Sequence, residues 1–251
     1  CNWFDVEKSE IENSTKLALV IGNNKYKFID KLKNPINDAK LMKKTFLNLG
    51  FDSIIYQENL VYDSMRNTIT DYYRLQKNYE IGFIYYAGHG LQDDDGNAYL
   101  VPVDFNPSDV LEGNSISVNN ISKLISNNNN VKDKNILILD ACRSTYNPED
   151  NFSIPRMKDP VNVKINFSTS YGSLALDHPD LNNSLYTKTL SNFLLIPNQN
   201  IFDVFDCTWN MVYTKSKYKQ SPSSYFGQMI NRMKINLNGC EWFSKITIRL
   251  L

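Results

Sequence analysis

The chain has 251 residues, 27 Lys+Arg balanced by 27 Asp+Glu, and 42% hydrophobic against 22% charged content, an ordinary globular composition with length enough for a full core. Zero net charge excludes a general attraction to nucleic acid or an anionic membrane, and no run of about 18 apolar residues is available for a membrane span. Four widely separated cysteines (Cys1, Cys142, Cys207 and Cys240) and two histidines (His89 and His178) form neither a disulfide scaffold nor a zinc pattern, so reduced thiols, a cytoplasmic location and no metal are expected.

Residues 1–15 read as a polar lead-in, with a lipid-bearing Cys1 as the alternative to a plain boundary. Lys16 to Ile21 (KLALVI) is a short apolar run closed by Gly22-Asn23-Asn24, a buried strand leading into a loop. Asn34-Pro35 then offers an N-cap residue followed by proline at the first helical position. Ala39, Met42, Phe46 and Leu49 keep helical spacing up to Gly50, which suits the left-handed position past a helix end. Phe51 to Tyr56 is a second strand, and Val61 to Gln76 a helix with Tyr62, Met65, Ile69, Tyr72 and Tyr73 on its core face.

The third strand, Ile81 to Gly90 (IGFIYYAGHG), is an apolar run that stops on Gly-His-Gly. Asp93 to Asn97 (DDDGN) reads as a turn; as a cation loop it lacks the closing glutamate of an EF-hand. Ala98 to Val103 is expected as a hairpin arm, Val118 to Ser126 as a helix, and Asn127 to Asn130 as a polar connector. Asn135 to Arg143 (NILILDACR) repeats the earlier pattern, an apolar strand ending on an acid and then a cysteine. Ser144 to Pro160 has no periodicity, and a loop of that length in a compact domain is usually functional or mobile. Val163 to Thr169 is another strand, Leu185 to Leu195 and Ile201 to Thr214 are helices, and Ser221 to Phe226 is a last short strand. Strands alternating with helices predict one α/β domain over 16–235, a mostly parallel sheet of about six strands with helices on both faces. Residues 236–251 are left as an extension.

Ligands of such sheets bind beyond the carboxyl ends of the strands, where His89 and Cys142 both fall. A thiolate attacks a carbonyl, and an imidazole takes the thiol proton and returns one to the leaving amine. Gly90 lets its backbone approach a substrate, so the Gly90 and Cys142 N–H groups are candidate oxyanion donors. Alone, each residue has a plainer reading, a small core cysteine and a turn histidine.

Together, YYAGHG and LDACR in that order resemble the caspase-fold cysteine peptidases, and the paracaspase and metacaspase branch most closely. The likeness runs from KLALVIGNNKY through LKNPINDA, NAYLVPVD and LILDACR to FSTSYGSLALD, fading after about Leu195. Asp140 and Ser144 stand where the caspase signature has Gln and Gly. The resemblance implies the caspase-haemoglobinase fold, a Cys142–His89 dyad, and endopeptidase cleavage after a basic residue. It matches Asp38, Asp140 and Asp177 to the acidic pocket for that residue, one that favours arginine over lysine and repels aspartate. It also implies homodimer formation through the last strand, Ser221 to Phe226, while Arg156 and Lys158 offer sites for self-cleavage. His178 is expected to be non-catalytic, and Arg143 structural or solvent-facing. The partner is then a protein or peptide substrate, with no nucleic acid and no cofactor; calcium dependence stays open, as does the alternative of a caspase-like scaffold without turnover.

Overall fold

Strict alternation along the buried strands decides which side chain enters which layer. In β1 (Lys16–Gly22), Leu17, Leu19 and Ile21 enter one apolar layer while Ala18 and Val20 enter the other. The computed structural model describes residues 14–126, 134–141, 144–145, 163–170, 182–197, 199–226 and 236–237. After β1 come α1 (Pro35–Asn48), β2 (Ser53–Glu58), α2 (Tyr62–Gln76), β3 (Ile81–Gly88), β4 (Gly90–Gln92), β5 (Ala98–Leu100) and β6 (Ile116–Ser117). They are followed by α3 (Val118–Ser126), β7 (Lys134–Ala141), β8 (Ser144–Thr145), β9 (Val163–Phe167), α4 (Leu185–Leu194), β10 (Gln199–Asn200), α5 (Ile201–Lys215), β11 (Ser223–Phe226) and β12 (Asn236–Leu237).

The main sheet has six strands in the order β11-β9-β7-β3-β1-β2, all parallel except the edge strand β11. One face packs against α2 and α3 through Met65, Ile69, Tyr72, Ile121 and Ile125. The other packs against α1, α4 and α5 through Met42, Phe46, Leu190, Val204 and Val212. The expected α/β sheet with helices on both faces is therefore what forms. A second small sheet, β6-β5-β4-β8, continues outward from the carboxyl end of β3. No helix among the described residues is long and apolar enough to cross a membrane.

Several boundaries differ from the sequence reading for physical reasons. Phe51 lies outside β2 because its N–H donates to the Phe46 carbonyl at 3.1 Å, closing the end of α1, while its ring packs 4.7 Å from Phe46 and 5.2 Å from Phe83. Asn34 takes the N-cap position in helical dihedrals without a side-chain cap hydrogen bond, so proline and packing start α1 unaided. Gly50 has the expected left-handed φ of 69°. The hairpin arm shortens to Ala98–Leu100, and the last strand begins at Ser223. Asp93 spends its carboxylate on Asn97 and Tyr99, which closes the DDDGN turn with protein donors. Among the described residues no group of three or more His, Cys, Asp or Glu side chains could hold a metal. The lead-in over 1–13, the 127–130 connector, most of the Ser144 to Pro160 stretch and most of 236–251 lie outside the described residues.

Candidate active site

His89 stands at the break between β3 and β4, and its backbone is held on both sides by phenols. Its N–H donates to Tyr26 Oη at 2.7 Å, and its carbonyl accepts from Tyr86 Oη at 2.8 Å and from the Val101 N–H at 3.2 Å. Tyr26 Oη lies 3.3 Å from Tyr86 Oη, and the Tyr86 proton is shared between the carbonyls of His89 and Val101 (2.9 Å). Proton counting then fixes the direction: Tyr26 receives from His89 and donates to Tyr86. A Cβ at Gly88 would run into both hydroxyls, so the glycine before the histidine makes room for this pair. Burial is the main reason the Tyr86 phenol is pushed well above its ordinary pKa, and it remains a proton donor.

The imidazole is oriented by the loop after β1. Its Nε2 lies 2.8 Å from the Asp30 carbonyl oxygen, and the ring sits 4.6 Å from the Tyr26 ring. A carbonyl only accepts, so Nε2 carries a proton and the lone pair of the neutral ring belongs to Nδ1. The loop is itself fastened. Asn23 donates its N–H to the Ala87 carbonyl and its amide to the Val101 carbonyl, and accepts from the Leu60 N–H. Asn59 Oδ1 accepts from the N–H groups of Asn24 and Lys25.

Cys142 and Arg143 lie outside the described residues, but the residues on either side do not. Ala141 pairs with Gly88 in the main sheet, and Ser144 pairs with Leu91 in the small one. Gly90 faces Leu100 across an antiparallel ladder. The bond from Val101 N–H to the His89 carbonyl makes 90 and 100 a pair not bonded to each other, so the Gly90 N–H points away from β5, toward the β8 side.

Two of the three expected pocket acids come together; Asp177 and the neighbouring His178 lie outside the described residues. Asp38, in the first turn of α1, and Asp140, near the end of β7, are 2% and 7% exposed. Both reach Ser184, the N-cap of α4. Asp38 Oδ1 accepts from the Ser184 N–H and from Asn183 Nδ2, each at 2.9 Å. Asp140 Oδ2 accepts from Ser184 Oγ and, at 2.6 Å, from Thr187 Oγ1. Ser184 Oγ also accepts from the Thr187 N–H at 3.0 Å, the helix cap proper. Two acids at a helix N-terminus suit the dipole. Their charge is felt below, where burial first, then Asp140 and Asp38, hold the Tyr85 phenol well above its normal range.

One of these partners carries a local signal. Asn182-Asn183-Ser184 before the apolar period of α4 is a cap signal. Tyr26 and the Asp30 carbonyl had none, because a loop tyrosine or a backbone oxygen looks like any other until the chain is folded.

Comparison with known proteins adds a family. A model of the caspase domain matches residues 15–233. Human mucosa-associated lymphoid tissue lymphoma translocation protein 1 is 32% identical over 183 residues, 72% of this chain and 22% of that protein. The mouse homolog is 31% identical over the same length, 21% of its chain. A Dictyostelium discoideum protein named Paracaspase is 29% identical over 229 residues, 87% of this chain and 52% of that one. The chain thus spans about a fifth to a half of the curated relatives it matches.

Proposed function

The chain belongs to the caspase-domain family, a cysteine peptidase family, and on that premise we propose that it is an endopeptidase cleaving after arginine, and less well after lysine, through Cys142 and His89. The observation that carries the specificity is the meeting of Asp38 and Asp140 on Ser184. Two buried carboxylates bonded to one serine repel each other, the more so because little water lies between them to screen the charges. A planar guanidinium entering that place relieves the repulsion bidentately, an ammonium does so as a point charge, and an aspartate adds to it. A helix cap alone needs one acceptor, not two buried acids.

What supports the dyad is register. Between the paired residues Gly88–Ala141 and Leu91–Ser144 each chain has two residues, His89-Gly90 on one and Cys142-Arg143 on the other. Neighbouring strands run about 4.8 Å apart, a span a thiol and an imidazole can bridge. In the reaction the Cys142 proton passes to His89 Nδ1, Sγ bonds to the scissile carbonyl carbon, and the oxyanion is met by the Gly90 and Cys142 N–H groups. The C–N bond breaks as the imidazolium returns the proton to the amine. Water, deprotonated by the same nitrogen, then hydrolyses the thioester. The Asp30 carbonyl on Nε2–H favours the imidazolium while it exists. Dimer formation along β11, the edge of the main sheet, belongs to the same proposal.

The test compares fluorogenic peptides ending in arginine, lysine and aspartate, with Cys142→Ser and Asp140→Asn variants. Arginine cleavage lost in both variants supports the reading. Cleavage surviving Cys142→Ser, or preference for aspartate, refutes it. A folded protein that cuts none of the peptides and does not react at Cys142 with an arginine-directed electrophile would be a scaffold.

A further inference from the structure

The outer side of α5 and the turn after it carry features that neither the core nor the dyad uses. Trp209 and Tyr213, one helical turn apart, stack with ring centroids 4.9 Å apart and planes 19° from parallel. Tyr218 packs its edge on Tyr213 at 5.0 Å. Trp209 is 38% exposed and Tyr218 69%, so this aromatic row lies open to solvent.

The turn that completes the row is held under strain. Lys217 and Tyr218 are consecutive non-glycine residues in the left-handed region, φ 54° and 66°. The Tyr218 N–H donates to the Tyr213 carbonyl at 2.8 Å, and Ser216 Oγ accepts from the Gln220 N–H at 3.0 Å. Glycine would make this turn without strain and without placing a phenol in water.

Charge is equally one-sided. From Cys207 to Phe226 there is no Asp or Glu, while Lys215, Lys217 and Lys219 are all exposed, in a chain whose charges cancel as a whole. Among the described residues none of the three lysines makes an ion pair. A helix C-terminus accounts for Lys215; the other two lie beyond it.

Topology places the row at the catalytic end of the sheet. β11 runs antiparallel to β9, so its first residue, Ser223, is level with Phe167 at the carboxyl end. Trp209 Nε1 donates to Ser221 Oγ at 3.2 Å. The Ser221 carbonyl accepts from Ser170 Oγ at 2.7 Å, and Gln220 Nε2 donates to the Ser168 carbonyl at 2.8 Å. β11 is two strands from β7, about 10 Å, with the helix layer to one side, a path that about four to six extended residues can cover.

We propose that Trp209, Tyr213 and Tyr218 with Lys215, Lys217 and Lys219 form a docking surface for an acidic stretch of the protein substrate, about four to six residues from the bond that is cut. The proposal rests on the peptidase reading. Rings supply flat apolar contact at little entropic cost, and the lysines select carboxylates. Three lysines are few for a nucleic-acid track, where about six to ten phosphate contacts are common.

The test uses the whole chain and internally quenched peptides. One contains the arginine site alone; others add three glutamates, or three glutamines, at that distance on either side. The glutamate peptide should show a KM about five- to tenfold below the glutamine peptide at low salt, the two converging at high salt. Lys215→Gln/Lys217→Gln/Lys219→Gln and Trp209→Ala should erase that difference and leave kcat/KM for the short peptide within about twofold, as distant surface changes do. Equal KM values for glutamate and glutamine peptides in the unaltered protein, or an equal loss on the short peptide, overturns the proposal. So does oligouridylate binding this surface more tightly than the glutamate peptide. Anisotropy of a labelled glutamate peptide on the Cys142→Ala protein reads docking without turnover. If no peptide is cut but the labelled one binds through the lysines, the peptidase reading has failed and the acidic docking surface has not.

Discussion

Replacing Tyr26 by phenylalanine removes one oxygen and keeps the ring against His89. The lost atom accepts the His89 N–H at 2.7 Å and donates to Tyr86. Leaving that N–H unsatisfied costs about 1–3 kcal/mol. For a domain of this size that is a fall in Tm of about 2–4 °C per kcal/mol. The catalytic effect should be larger than the stability effect implies. With its N–H released, His89 loses one of the bonds that fix its backbone, and a misplacement of about 1 Å costs about a hundredfold in rate. We therefore expect kcat on an arginine peptide to fall about ten- to a hundredfold with KM nearly unchanged. Stopped assays with a urea melt on the same sample check both quantities. If the melt shifts while kcat does not, the hydroxyl serves stability alone and the argument that it positions the histidine is refuted.

Ser184→Ala should lose both the α4 cap and a charge-assisted bond to Asp140, destabilising by about 2–4 kcal/mol in urea. Asp38→Asn retains an oxygen for the Ser184 and Asn183 donors but no charge, so arginine cleavage should drop at least about tenfold in kcat/KM while the melt moves little. Lys164 is buried over Phe202 and Phe205, and burial, only partly offset by Asp206, lowers its pKa to about 7. The folded protein then prefers the neutral amine, and above about pH 7 the unfolded chain binds the extra proton. Stability should rise from there toward about pH 9, by at most about 1.4 kcal/mol per unit. Lys164→Met should flatten that rise, and melts against pH would show it. Burial, then Asp203 and Asp206, raise the Cys207 thiol pKa, so neutral iodoacetamide should inactivate with labelling of Cys142 while mapping finds Cys207 largely unmodified.

How much of this was readable in advance depends on whether a residue's partner is local. β1, α1, β3, α3 and β7 each announce themselves by apolar period and by flanking Gly, Pro or Asn, and the structure shifts them by a residue or two. The glycines around His89 were legible as a need for space, but not which groups fill it: Tyr26 lies 63 residues from His89, in a loop with no periodicity. The acids show the same limit. Family likeness picked out Asp38 and Asp140, whereas Ser184, which joins them, lies 146 and 44 residues away, and its sequence signature says only that a helix begins. Cap and turn chemistry is written locally; a hydrogen-bond network among distant loops exists only once the sheet has set their ends side by side.

That separation has a consequence in the segment from Asn23 to Asp38. The loop supplies Tyr26 and the Asp30 carbonyl to His89, and four residues into the helix it feeds, Asp38 reaches the α4 cap beside Asp140. The segment is pinned at its start by Asn23 to Ala87, Val101 and Leu60, in the middle by Lys27 N–H to the Val103 carbonyl, and at its end by α1 packed on β1 and β3. A cation drawn to Asp38 therefore acts on the same short stretch of backbone that orients the imidazole. In the proposed enzyme, binding the arginine and aligning the base are not independent events, so losses from Tyr26→Phe and Asp38→Asn should combine non-additively in kcat/KM although one hydroxyl serves His89 and one carboxylate serves the α4 cap. Strict additivity in a double-mutant cycle would mean that the loop transmits nothing, and that pocket and base are only neighbours on a common sheet.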